Sequence, residues 1–93
     1  MPNKLTKEEI ASNLTNGWSF DQKQNAITKE FKKVDFSDSV AFIGKIAVIA
    51  NAQDHHPDIW LHGYNKVRVI LSTHDAGGIT PNDFKLAKSI DTI

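Results

Sequence analysis

At 93 residues the chain is long enough for one domain, since a second core would leave each half too little buried surface to fold. Its 40% apolar and 24% charged residues are the proportions of a soluble globular chain and exclude a disordered tail or a membrane span. Eleven Lys and Arg against eleven Asp and Glu give no field to attract nucleic acid or an anionic membrane, and the lack of cysteine excludes a disulfide scaffold, a thiolate nucleophile and a Cys-type zinc site.

The N-terminal stretch Met1 to Glu9 has no apolar core of signal-peptide kind, and its two acidic residues argue against a transit peptide, so a cytoplasmic location is expected, with the nucleus also open. Thr6-Lys7-Glu8-Glu9 places a hydroxyl three residues before a carboxylate, the pairing that closes a helix start, and predicts a helix from about Lys7 to Leu14. Asn16-Gly17 ends it. The alternation in Trp18-Ser19-Phe20, the polar run Asp21 to Asn25 and the stretch to Phe31 predict a hairpin with Ile27 and Phe31 on one face and Lys29 between them.

From Asp38 to Ala52 the sequence lacks proline and carries two apolar stripes, one of Val40, Ile43, Ala47 and Ala50, the other of Phe42, Ile46 and Ile49. A helix apolar on two sides is buried on two sides, and one sheet covers only one of them. The surplus stripe, taken as Phe42, Ile46 and Ile49, therefore predicts a homodimer or homotetramer assembled through helix 38–52, the alternative being an apolar helix that leaves Ala and Ile half exposed. Asp58 to Leu61 and Lys66 to Ser72 then read as strands of a second hairpin, with Val67, Val69 and Leu71 on one face. Thr80-Pro81-Asn82-Asp83 opens a last helix with Phe84, Ala87 and Ile90 or Ile93 as its buried stripe. In order these elements make α-β-β-α-β-β-α: a single α+β domain over residues 1–93, with a four-stranded antiparallel sheet of two hairpins and three helices on one face.

Three of the four histidines fall at element boundaries: His55 and His56 in Asp54-His55-His56-Pro57-Asp58, and His74 in Ser72-Thr73-His74-Asp75. Imidazole titrates near pH ~6.5, so such a cluster can hold a proton donor and a proton acceptor at neutral pH, as an assisted elimination requires. Competing readings stand beside this one. His55 can simply cap the helix before it, and Asp83 can serve only the start of the last helix. Adjacent side chains diverge, so His55 and His56 are a poor pair of ligands for one metal ion, and no metal or cofactor is expected. His62, before Gly63, reads as a solvated turn histidine. Gly77-Gly78 lacks the lysine and spacing of a phosphate loop, and Ser72, His74 and Asp75 lack the sharp turn of a nucleophile elbow.

Asp54-His55-His56-Pro57-Asp58, Tyr64-Asn65-Lys66-Val67, Leu71-Ser72-Thr73-His74, Gly78-Ile79-Thr80 and Asp83, with Trp18 and Phe36, resemble the pterin-4a-carbinolamine dehydratase family. That family is also known as the dimerisation cofactor of a liver homeodomain transcription factor. The resemblance covers nearly the whole chain. It implies loss of water from a 4a-hydroxytetrahydropterin, as in tetrahydrobiopterin recycling, with His55, His56 and His74 around the pterin and catalytic. It also implies that Asp54, Ser72, Thr73, Asp75 and Asp83 help to bind the substrate and that the chain forms dimers or tetramers; the alternatives are a protein-binding module that stabilises dimers of a transcription factor, as some members do, or a member repurposed to bind another pterin. Two positions depart from the family pattern. Asn51 stands where animal members often carry a glutamate, and Ile59 stands where an aromatic residue is expected, with Trp60 after it.

Overall fold

A computed structural model describes residues 3–93; Met1 and Pro2, the start of the N-terminal stretch read above, lie outside the described residues. Helix α1 (Lys7–Asn13) starts at Thr6, whose hydroxyl accepts from the Glu9 N–H while the Glu9 carboxylate accepts from the Thr6 N–H. Past its end, Asn16 and Gly17 turn the chain at φ 56° and 88°. Strands β1 (Ser19–Asp21) and β2 (Ala26–Lys32) form the first hairpin, helix α2 (Phe36–Gln53) follows, β3 (Asp58–His62) and β4 (Lys66–Leu71) form the second, and helix α3 (Pro81–Asp91) comes last. The four strands make one antiparallel sheet in the order β1-β2-β4-β3. This is the expected α+β architecture.

Period-two geometry decides which face the helices cover. Val67, Val69 and Leu71 are wholly buried, and the register places Phe31, Lys29 and Ile27 of β2 beside them. Ile59 and Leu61 of β3 lie opposite Val69 and Val67. Phe42 and Ile46 of α2 and Phe84, Leu86, Ala87 and Ile90 of α3 complete the core. Of the two residues considered for the end of the last stripe, Ile90 is buried and Ile93 is 40% exposed.

Lys29 sits on this apolar face because its stem lies along the core while its ammonium reaches the rim. Its Nζ is 2.8 Å from Asp91 Oδ1 and 4.7 Å from the centroid of the Phe31 ring. The same carboxylate accepts from Trp18 Nε1–H at 3.0 Å, tying the end of α3 to the first hairpin. Asp91→Ala leaves both donors without their partner and is expected to cost about 1–3 kcal/mol of stability. A lower urea midpoint at unchanged slope checks it.

Helix α2 begins two residues before the expected Asp38 and ends one after Ala52. Asp35 is the cap: its carboxylate accepts from the Asp38 N–H at 2.8 Å, and Asp38 in return accepts from the Val34 N–H at 3.0 Å. The expected division of the helix into stripes is corrected. Its buried residues are Ser39, Phe42, Ile46 and Ala50, while Val40 and Val48 are 50% and 70% exposed. Phe42 and Ile46 thus belong to the chain's own core and cannot form a subunit interface. The outward face carries Phe36, Val40, Gly44 and Val48 at helical spacing. Ser39 heads the buried face because its hydroxyl donates to the Asp35 carbonyl and lies 3.2 Å from the Tyr64 carbonyl oxygen.

The other face of the sheet carries Trp60, 56% exposed, stacked on His62 with ring centroids 4.1 Å apart. Moving the aromatic one residue along, from position 59 to 60, sends the indole to the opposite face of the strand. His62 is therefore not the solvated turn residue expected. It closes β3 and its Nε2 lies 2.6 Å from Glu30, and that hydrogen bond, with the nearby Arg68 charge, holds the Glu30 carboxyl below its ordinary range. Among the described residues no helix is long and apolar enough to cross a membrane.

Candidate active site

Pairing of Asp58 with Ile70 puts the start of β3 beside the end of β4, so the segments before residue 58 and after residue 71 meet at one sheet edge. Helix α2 delivers the first of them. It stops at Asp54, which adopts the left-handed conformation (φ 50°, ψ 44°), and the N–H groups of Asp54 and His55 both return to the Ala50 carbonyl. Glycine is the usual residue there because side chains are disfavoured at positive φ. The tight reversal points His55 and His56 towards β4 before Pro57 starts the next strand. The second segment leaves β4 through Ser72 and Thr73, passes a single 3-10 turn (His74–Ala76), and returns at Gly78, which bridges to Thr73.

The two segments enclose an open pocket of about 270 Å³ lined by Asp54, His55, His56, Ser72, Thr73, His74 and Asp75. A larger groove of about 330 Å³, lined by Leu5, Asn13, Pro81, Phe84, Lys85 and Lys88, offers no imidazole or carboxylate for proton transfer.

Asp83 stands behind the pocket rather than in its wall. It is fully buried at the start of α3, and its Oδ1 lies 2.6 Å from His55 Nε2. Its Oδ2 accepts from the Thr80 N–H at 2.9 Å and from the Thr73 hydroxyl at 2.8 Å. Since the Thr73 proton is spent on the carboxylate, the Thr80 hydroxyl is the donor in its 2.7 Å contact with Thr73. With Asp83 as the carboxylate, His55 donates to it from Nε2 and the neutral ring keeps its lone pair on Nδ1. Asp83 completes the helix start, as one reading expected; it does not line the pocket, contrary to its expected place among the substrate-binding residues, and its contact with His55 is a role that the sequence did not suggest.

The other two imidazoles are held more loosely. His56 Nε2 lies 3.0 Å from Asn51 Oδ1 on the exposed end of α2. Asn51, lacking the charge of the expected glutamate, still anchors this ring through its amide oxygen. The His74 side chain is fully exposed, with Nδ1 3.6 Å from the equally exposed Asp75. His62 lies four residues along β3 from Asp58, about 13 Å at the rise of an extended strand, and takes no part. Among the described residues no group of three or more His, Cys, Asp and Glu side chains is arranged to hold a metal ion.

A second lobe of about 200 Å³ adjoins the pocket through Ser72, Thr73 and His74, and its outer walls are Gln24 and Asn25 with Gly77 and Gly78. The β1–β2 turn is a polar connection in sequence, and nothing in its residues marks it as lying at the site. Thr80 was read as a cap, and its link through Thr73 to Asp83 needs the tertiary fold to be seen.

Residues 3–93 match the family model described as pterin 4 alpha carbinolamine dehydratase. A relative from Sulfurisphaera tokodaii, provisionally named a pterin-4-alpha-carbinolamine dehydratase, is 49% identical over 92 residues, covering 97% of this chain and 96% of its own. One from Paraburkholderia xenovorans with the same provisional name is 41% identical over 95 residues, covering 100% and 98%. A crystal structure of a transcriptional coactivator/pterin dehydratase from Brucella melitensis superposes with a TM-score of 0.89 at 37% identity, covering 97% of each chain. A pterin dehydratase-like protein identified as a RuBisCO assembly factor in the alpha-carboxysome shares the fold alone, at 20% identity and a TM-score of 0.67.

Proposed function

The chain belongs to the pterin 4 alpha carbinolamine dehydratase family, and on that premise we propose that it removes water from a 4a-hydroxytetrahydropterin to give a quinonoid dihydropterin, as tetrahydrobiopterin recycling requires. The observation that carries the reading is the His55–Asp83 pair opening onto a pocket that His56 and His74 share. Elimination breaks the C4a–O and N5–H bonds and forms the C4a=N5 double bond. Hydroxide leaves badly, so an imidazolium protonates the departing oxygen while a neutral imidazole takes the N5 proton. Each such transfer contributes ~10²–10⁴-fold.

His55 suits the base. Its Nδ1 is the free lone-pair atom, and the buried Asp83 carboxylate stabilises the imidazolium that forms, as in hydrolase triads. His74 suits the acid, because its exposed ring regains a proton from water after each turnover. His56, fixed by Asn51, orients the pterin, with Asp54, Ser72, Thr73 and Asp75 as the polar wall. Rapid mixing with chemically generated 4a-hydroxytetrahydropterin tests this: dehydration faster than the spontaneous reaction is expected, and no acceleration overturns the reading. Chelation is expected to leave turnover unchanged, since His55 and His56 each spend Nε2 on another side chain. Stoichiometric zinc whose removal abolishes activity contradicts this.

The outward α2 face supports a homodimer or homotetramer in which Phe36, Val40, Gly44 and Val48 meet a second copy. Gly44 faces open space in the isolated chain, where an added Cβ meets nothing within 4 Å, and the absence of a side chain there lets a second helix come close. The same face supports a second reading, a module that binds another protein. Capture of a defined partner by a dehydration-inactive chain is its signature.

A further inference from the structure

The β1–β2 turn reaches across the molecule to the loop that bears His74. Asn25 adopts φ 52°, a conformation that asparagine tolerates better than most residues, and its Nδ2 donates to the Gly77 carbonyl at 2.8 Å across 52 residues of sequence. A carbonyl only accepts, so chemistry fixes which end of the amide faces it. The base of the loop is anchored by the Thr73 N–H to the Gly78 carbonyl at 2.8 Å. Gly78 N–H returns to the Thr73 carbonyl at 3.4 Å at the same base, and the remaining bonds, Ala76 N–H to Thr73 at 3.1 Å and Gly77 N–H to His74 at 3.0 Å, are internal and travel with the loop. Among the described residues, Asn25 makes the one hydrogen bond that reaches His74–Gly77 from outside Thr73–Gly78. Because the His74 ring is fully exposed and 3.6 Å from an equally exposed Asp75, no packing locates it. Its place follows the backbone, and Asn25 fixes the tip of that backbone.

We propose that Asn25 is a positioning residue for His74, holding the loop so that the imidazole stands over the pocket. This rests on the reading that His74 transfers a proton. A small displacement of a proton donor lowers the rate steeply while substrate binding, carried by other residues, changes little.

The test is a double-mutant cycle under single-turnover conditions with enzyme in excess. Asn25→Asp keeps the size of the side chain and its tolerance of positive φ but cannot donate to the carbonyl. Asn25→Gly keeps the backbone conformation and removes the amide, guarding against an effect peculiar to the carboxylate. Each is expected to lower the chemical rate about tenfold with the substrate half-saturation within about twofold, and to change the rate less than about twofold when His74 is already alanine. Equal losses in both backgrounds, or wild-type rates for both variants, overturn the inference and leave the dehydratase reading standing. His74→Ala at the wild-type rate removes the role of His74 and the inference with it. A wild type that gives no acceleration over spontaneous dehydration ends the reading on which both depend.

Discussion

Replacing His55 by alanine is expected to lower the single-turnover dehydration rate by roughly two to four decades, and His74→Ala to do the same, because each deletes one of the two proton transfers. Asp83→Asn is expected to fall by about two decades with the fold retained. The amide is nearly isosteric in its buried place, yet it withdraws the charge that stabilises the His55 imidazolium and frees the ring to take either tautomer. His62→Ala on the far end of β3 is expected to stay near the wild-type rate. Circular dichroism on each variant separates lost chemistry from lost structure. A wild-type rate for His55→Ala, or an equal loss from His62→Ala, shows that the proton-transfer residues are wrongly assigned.

Ile46→Glu and Val48→Glu are expected to part company completely, although two residues separate them on one helix. Ile46 is wholly buried between α2 and the sheet. A carboxylate there has no partner, and several kcal/mol of desolvation is a large share of the ~5–15 kcal/mol that holds a small domain together. That variant is expected to be unfolded at 25 °C. Val48 is 70% exposed in the single chain, so its glutamate keeps the circular dichroism and melting of the wild type but places charge inside the proposed subunit contact. Light scattering should report a smaller mass for Val48→Glu than for wild type. A monomeric wild type, or an unchanged mass in Val48→Glu, ends the oligomer proposal. A folded Ile46→Glu ends the assignment of the core face.

The strands and the starts of the first and last helices were legible because their signals are local. Alternation in Val67, Val69 and Leu71 and the Thr6–Glu9 box depend on neighbours within a turn or a pleat. The inward side of α2 was not legible, since a rich supply of Ala, Ile and Val fits two stripes equally well. What settles it is Ser39, a polar residue no apolar count includes, buried because its hydroxyl has carbonyl partners at Asp35 and Tyr64. The pocket-lining segments could be found by resemblance and by the position of the histidines at element ends. Their support could not: the Asp83–His55, Thr80–Thr73 and Asn25–Gly77 contacts join residues that only the folded chain brings together. Likewise His62 looked like a turn residue until the register put Glu30 and Arg68 on the same outer face.

The His55–Asp83 contact spans 28 residues and crosses from the end of one helix to the start of another. During synthesis His55 emerges well before its carboxylate, and no other hydrogen bond holds Nε2 among the described residues. On the proposed mechanism, a chain that stops short of α3 has the imidazoles but lacks the carboxylate that orients the base. Competence on that mechanism requires the first turn of α3 in place, with Asp83 bonded to Thr80, Thr73 and His55. By the same proposed mechanism, any local opening that lifts that turn from the sheet breaks the bonds to His55 and Thr73 and leaves the pocket without its oriented base.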